Sequence, residues 1–185
     1  MKIYEGSNSQ AGQESFVLSY LKEKRNGYYL EIGGYNSKID SNTYLLETQY
    51  GWSGVALEID TERSNEYNSN RSNVCLNADA TTFNYLEYLE NNNFPNQIDY
   101  LQIDIEPAFQ SLKALEALPL DRYRFSVVTF EHDLYADPGN LLVKEKAKKI
   151  FNKFNYVLVK EDVDHNGKVF EDWWVDSNIY NKDEE

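Results

Sequence analysis

The apolar residues of this chain alternate between two spacings, and that alternation predicts an α/β protein. Short apolar runs predict strands, and longer stretches in which apolar residues recur every three or four positions predict the helices between them. The predicted strands span residues 28–32, 55–59, 74–76, 98–105, 125–130, 156–160 and 169–175. The N-terminal helix is predicted over residues 10–25, with Phe16, Val17, Tyr20 and Leu21 on one face.

The order of these elements predicts how the sheet is built. Strands that alternate with helices form parallel sheets covered on both faces. The last two predicted strands follow one another directly, and residues 164–167 (Asp-His-Asn-Gly) read as a hairpin turn between them. We therefore predict a Rossmann-like, seven-stranded, mostly parallel sheet with helices on both faces and a C-terminal antiparallel hairpin.

The length of the chain suits one domain with one core. With 185 residues and 41% apolar residues, the sequence has the material for a single packed sheet and little room for a second domain. We predict an N-terminal helical segment over residues 1–26, a Rossmann-like core over 27–176 and a solvated tail over 177–185.

Charge and cysteine content narrow the range of partners. Eighteen basic residues against 31 acidic ones give a formal net charge of -13, which repels phosphate backbones and anionic lipid. We therefore expect neither nucleic acid nor a membrane as a partner. The single cysteine, Cys75, forms no intrachain disulfide and no thiolate zinc site. No leader-like or bilayer-spanning apolar stretch is present, so we expect a cytoplasmic protein.

Acidic residues lie at or just after the ends of the first three predicted strands, at the edge where open parallel sheets bind ligands. Glu31 precedes Gly33, where a carboxylate can pair with an ammonium group and a glycine lets the backbone approach a ligand. Glu58 can accept hydrogen bonds from both hydroxyls of a ribose, and Asp79 can accept one from the amino group of an adenine. Each position also has an ordinary structural interpretation, as a turn, a surface acid or a helix cap. Together they suit S-adenosylmethionine (SAM), which carries all three groups.

A second set of polar residues follows the fourth and fifth predicted strands. Asp104, Glu131 and His132 could together hold a hard divalent cation, Mg²⁺ or Mn²⁺. Two alternatives need no metal. Asp104 could orient the sulfonium end of SAM or an acceptor hydroxyl, and His132 could act as a general base.

Several segments, taken together and in order, resemble the FkbM family of SAM-dependent methyltransferases. They cover nearly the whole chain and include the glycine turn after the first strand and the acids after the fourth. The matching segments are residues 9–17, 27–35, 41–47, 51–58, 70–71, 99–106, 131–132 and 170–175.

The resemblance implies a class I methyltransferase fold, SAM as methyl donor and an oxygen acceptor on a sugar, a glycan or a small natural product. By likeness, Glu31, Gly33, Glu58 and Asp79 would contact SAM. The full predicted cofactor-binding set is Glu31, Gly33, Tyr35, Ser41, Asn42, Glu58, Ile59, Asp79, Ala80 and Asp104. The predicted catalytic residues are Asp104, Glu131 and His132. Their spacing is also similar to that of the metal ligands in magnesium-dependent catechol-type O-methyltransferases.

Two positions differ from the family pattern. Ser37 stands where members usually have glycine, and Pro107 stands where they have glycine after the acid. A catalytically inactive module that binds SAM or a nucleotide is therefore an alternative. A nucleotide-sugar or NAD enzyme is disfavoured, because the first turn lacks G-x-G-x-x-G. The expected partner is a small-molecule or glycan acceptor, and a homodimer is left open.

Overall fold

The computed structural model describes residues 2–180, which form one seven-stranded sheet with helices on both faces. Met1 and residues 181–185, the end of the predicted tail, lie outside the described residues. The elements are α1 (Gln13–Tyr20), β1 (Tyr28–Ile32), α2 (Tyr44–Tyr50), β2 (Ser53–Glu58), α3 (Thr61–Asn70), β3 (Val74–Asn77), α4 (Tyr85–Asn91), β4 (Gln97–Ile103), α5 (Ala108–Ala117), β5 (Arg124–Glu131), α6 (Leu141–Lys153), β6 (Tyr156–His165) and β7 (Lys168–Asp176).

The strand order is β3-β2-β1-β4-β5-β7-β6. Strands β1 to β5 run parallel, and β7 pairs antiparallel with both β5 and β6. The predicted sheet, with its closing antiparallel hairpin, is confirmed. From β1 the chain adds β2 and β3 on one side, and then crosses back to place β4 on the other side of β1. The strand order therefore reverses between β1 and β4. In open sheets of this kind, ligands bind outside the carboxyl ends of the strands at that reversal.

Two apolar layers hold the helices on the sheet. One face of β1, β2, β4 and β5 packs under α4, α5 and α6, with Phe125, Phe130 and Phe151 among its largest buried side chains. The opposite face packs under α1 and α2 through Tyr29 and Tyr100. Successive strand residues point to opposite faces, so the two layers together bury most residues of these central strands.

Two elements differ most from their predicted boundaries. Helix α1 is shorter than the predicted 10–25, because Gly12 before it and Lys22 after it adopt positive φ angles that no helix continues. Strand β6 runs on to His165, with an irregular register against β7. The predicted turn is confirmed, with Asn166 and Gly167 both at positive φ, as a tight hairpin turn requires. None of the helices in residues 2–180 has the length and apolar character needed to cross a bilayer.

Candidate active site at the carboxyl edge of the sheet

A cleft opens where the loops after β1, β2, β3 and β4 meet. Five residues of the predicted cofactor-binding set line it, drawn from three of these four loops: Gly33, Glu58, Ile59, Asp79 and Ala80. The remaining lining residues are Leu57, Ala78, Thr81, Ile105, Glu106 and Gln110. The reversal of strand order therefore brings side chains that are far apart in the sequence to one cavity.

Gly33 lets two neighbouring strand ends come together beneath this cleft. Its φ is +93°, and a Cβ built on it would lie 1.7 Å from the backbone oxygen of Asp104. Its N–H donates to the carbonyl of Leu57 at 3.0 Å. Any side chain at this position would push the β4 end away, so glycine is required for the close packing of β1 against β4.

Two of the three acids in the cleft lining, Glu58 and Asp79, each keep a carboxylate oxygen for a ligand. Glu58 is half-buried, and its Oε1 accepts the N–H of Asp60 at 2.8 Å. Asp79 is exposed, and its Oδ1 accepts the hydroxyl of Thr81 at 2.7 Å and the Thr81 N–H at 2.9 Å. These bonds hold the pKa of Asp79 below its ordinary value. Among the described residues, the second oxygen of each acid has no protein partner.

Glu31 lies beneath the first loop and is not part of the cleft lining. It is buried, and its Oε2 accepts the hydroxyls of Thr43 at 2.7 Å and Tyr67 at 2.9 Å. Burial raises the pKa of Glu31 above its ordinary value. The carboxyl therefore joins β1 to α2 and α3, a contact that fixes the loop between β1 and α2.

Tyr35, Ser41 and Asn42 belong to that loop and also lie outside the cleft lining. Tyr35 is exposed, with the guanidinium of Arg63 over its ring at 3.6 Å. Ser41 is buried, and its Oγ accepts the N–H of Tyr44 at 3.1 Å at the start of α2. Asn42 is buried with its Oδ1 unpartnered among the described residues. A buried amide oxygen without a donor is the kind of group that a ligand ammonium would satisfy.

Arg71 organises the same loop from below, a role that residue-by-residue reading of the sequence did not assign. Its buried guanidinium donates to the carbonyl of Ser37 at 3.0 Å, to Thr43 Oγ1 at 3.0 Å and to Glu47 Oε2 at 2.7 Å. The Ser37 hydroxyl donates to Glu66 at 2.9 Å, so this side chain points towards α3. Ser37, which differs from the family pattern, is absent from the cleft lining.

Asp104 and Glu131 lie side by side at the ends of β4 and β5. The preceding residues of the two strands are register partners, and the two carboxyls hydrogen-bond to each other. Burial raises the pKa of Asp104 to about 6, although the hydrogen bond from Glu131 opposes the rise. Burial and the Asp104 charge raise the pKa of Glu131 well above its ordinary value. Burial therefore opposes the ionisation of both carboxyls.

His132 does not join this pair, so the predicted trio of metal ligands is not assembled. Residues 131 and 132 are consecutive in extended backbone, and their side chains point to opposite faces of the sheet. His132 is buried on the α6 face, where its Nε2 lies 3.5 Å from Asp172. In residues 2–180, the one group with three potential ligand atoms within 4.8 Å is His132 with Asp162 and Asp172. There the ammonium of Lys144 already bonds to Asp162 and lies 3.7 Å from Asp172.

Buried carboxyls behind the site predict that stability falls as the pH rises. Burial raises the pKa of Glu171 from 4.5 to about 8 and that of Glu14 to about 7. The folded state then binds more protons than the unfolded state. The stability these groups give is complete below the unfolded pKa and is lost as the pH rises through the folded values. We expect the free energy of unfolding in urea to fall between about pH 5 and pH 8.

The variant Glu171→Gln tests this directly. Glutamine keeps an acceptor for the indole N–H of Trp173, which Glu171 accepts. We expect it to reduce the fall in stability by on the order of 1–3 kcal/mol. Glu116→Gln, on the exposed side of α5, is the control and should leave the pH profile unchanged. A wild-type stability that is flat or rising across this range would contradict the prediction.

Comparisons with known proteins bear on the fold. No family model matches the sequence, and no curated protein matches it either. Solved structures do match the fold of this chain. An O-methyltransferase from Bacillus cereus in complex with S-adenosylhomocysteine (SAH) is 16% identical, with a TM-score of 0.63 over 95% of this chain and 84% of that one.

Two further structures show the same likeness. A protein from Clostridium thermocellum assigned as an rRNA methylase is 10% identical, with a TM-score of 0.60 over 91% of this chain and 97% of that one. The N-methyltransferase NodS from Bradyrhizobium japonicum in complex with SAH is 10% identical, with a TM-score of 0.54 over 89% and 86%. At these identities the likeness concerns the fold. The chain therefore has the Rossmann-like fold of the class I methyltransferases.

Proposed function

We propose that this protein is a SAM-dependent methyltransferase. The observation that carries the proposal is the cleft itself. Gly33, Glu58 and Asp79 come from the loops after β1, β2 and β3, and line one cavity at the point where the strand order reverses. Structural neighbours that bind SAH in this fold support the same cofactor class.

The residues present fit the parts of SAM. The free oxygen of Glu58 is available for the ribose hydroxyls, and that of Asp79 for the adenine amino group. Ile59 and Ala80 supply apolar surface beside them in the same lining. Asn42 Oδ1 offers a buried acceptor for the ammonium of the methionine end. None of the following predicted cofactor-binding residues lines the cleft, so their contacts with SAM stay predictions: Glu31, Tyr35, Ser41, Asn42 and Asp104.

Asp104 is the proposed catalytic base. When bound, SAM supplies a methyl group on a positively charged sulfur, and the sulfur leaves with the electrons of the broken C–S bond. An acceptor hydroxyl placed against Asp104 would give its proton to that carboxylate as the new O–C bond forms. Glu131, the neighbouring carboxyl at the end of β5, would position Asp104. Positioning of the two reactants would contribute most of the rate gain.

A more specific proposal is that the protein is an FkbM-type enzyme that methylates an oxygen of a small molecule or glycan. This more specific proposal rests on the sequence resemblance. The proposed methyl transfer does not include a metal ion. The predicted donors Asp104, Glu131 and His132 do not converge. In the group that does converge, the Lys144 ammonium already pairs with Asp162 and Asp172.

A thermal-shift comparison of SAM, SAH and NAD tests the proposal. A ligand at 100 times its dissociation constant adds about 2.7 kcal/mol to the stability of the folded state. We expect SAM and SAH to raise the melting temperature and NAD to leave it unchanged. Transfer of a labelled methyl group from SAM to small molecules then separates an enzyme from an inactive binding module. Stabilisation by NAD alone would refute the proposal.

A further inference from the structure

The carboxyls at the acceptor end of the site form no ion pair with any cation of the described residues. We infer that the acceptor is a cationic molecule, an amino sugar or amino alcohol, whose ammonium group is held by Asp133 and its acidic neighbours while a hydroxyl faces Asp104. This inference rests on the proposed methyltransferase function and specifies its substrate class.

Four acids meet at the ends of β4 and β5, and we call them the acid cluster: Asp104, Glu106, Glu131 and Asp133. Asp104 and Glu131 follow register partners on β4 and β5, and Glu106 and Asp133 lie two residues further along the chain from each of them. Glu106 also lines the cleft. None of the ion pairs found within residues 2–180 includes a member of the cluster. An acceptor with a carboxylate or phosphate would meet repulsion here, and a neutral acceptor would leave the charge unbalanced.

A second observation comes from Asp133. This residue is 5% exposed, and its Oδ1 has no hydrogen-bond partner within the described part of the chain. A buried carboxylate oxygen without a donor costs stability until something supplies one. The missing partner is a donor, and a positively charged N–H group is the donor that a carboxylate binds most strongly.

A third observation is the aromatic ring beside the cluster. Tyr135 is 44% exposed, and the charges of all four acids raise its pKa, although burial contributes more. Its ring already has a cation over one face, the ammonium of Lys168 at 5.0 Å from the centroid. Aromatic rings and carboxylates side by side are a usual arrangement for binding organic ammonium groups.

The geometry favours an organic cation over a metal ion. No three ligand atoms of the acid cluster come within 4.8 Å of one another in the described residues, as a compact metal site would require. An ammonium on a carbon skeleton makes separate hydrogen bonds to acids that are further apart. It also brings a hydroxyl of the same molecule to a defined distance from Asp104.

The test separates acceptors by charge without assuming their identity. Small molecules from a cell lysate are divided by ion exchange into cationic, neutral and anionic pools. Each pool is incubated with the protein and methyl-labelled SAM. Glucosamine, glucose and glucuronate serve as a matched series of one sugar size and three charges. We expect labelled product from the cationic pool, and within the sugar series the tightest binding to SAH-loaded protein for glucosamine.

Asp133→Asn tests the named residue once a labelled acceptor is isolated. We expect its KM to rise about 10- to 100-fold while SAH affinity and melting temperature stay near wild type. Asp121→Asn, an exposed acid before β5, should leave KM unchanged. Labelling of the neutral or anionic pool, or of no pool by protein that still binds SAH, overturns the inference. If SAH does not bind at all, the proposed function fails, and this inference fails with it.

Discussion

Glu58→Ala is expected to weaken SAM binding by about 100-fold or more. The carboxylate stands at the end of β2 in the cleft. One oxygen accepts the N–H of Asp60, and the other has no donor among residues 2–180. A hydrogen bond to a charged group contributes about 1.5–3 kcal/mol, and two ribose hydroxyls can each donate one. Each 1.4 kcal/mol lost is about a tenfold loss of affinity. Isothermal titration calorimetry with SAM and SAH measures this loss directly.

Glu62→Ala is the matched control for this variant. Glu62 is an exposed acid in the first turn of α3, four residues further along the chain and outside the cleft lining. Removing its charge changes the field near the cleft without removing a proposed contact. We expect its SAM affinity to stay close to wild type. Equal affinity for Glu58→Ala and wild type would show that the cofactor is placed wrongly.

Asp104→Asn is expected to lower kcat by about 10²–10⁴, the usual contribution of a general base. Asparagine keeps the size of the side chain but cannot take the acceptor proton. SAH affinity should change little. With a pKa of about 6, Asp104 ionises just below neutral pH, so the wild-type kcat/KM should rise through about pH 6 and then level off. The variant should lose that rise.

His132→Gln distinguishes the structural assignment from the sequence prediction. The sequence alone makes His132 a candidate base, but the structure turns its side chain towards Asp172 and Lys144 on the other face of the sheet. We therefore expect kcat to fall much less than for Asp104→Asn, with the melting temperature as a check on folding. If the two variants lose activity equally, His132 takes part in the reaction and the proposed base is incomplete.

The sequence determined the sheet and the identity of the acids at its edge. Apolar runs of strand length, helical spacing between them and a final turn at Asn166-Gly167 were enough to predict seven strands and a closing hairpin. These are local signals, carried by residues close together in the chain. Parallel topology then places every strand's carboxyl end at one edge, so the positions of Gly33, Glu58 and Asp79 at a common cleft followed without coordinates.

Only the tertiary structure decided which side chains face each other. Glu131 and His132 are neighbours in the chain, yet the alternation of strand residues gives one to Asp104 and the other to Asp172. Glu31 meets Thr43 just before α2 and Tyr67 on α3, two segments that pack on the same side of the sheet. Such contacts depend on segments that are distant in sequence, and no local pattern records them. The strand to which a side chain belongs fixes the direction in which it points. Which residues it contacts depends on how the other strands and helices pack around it.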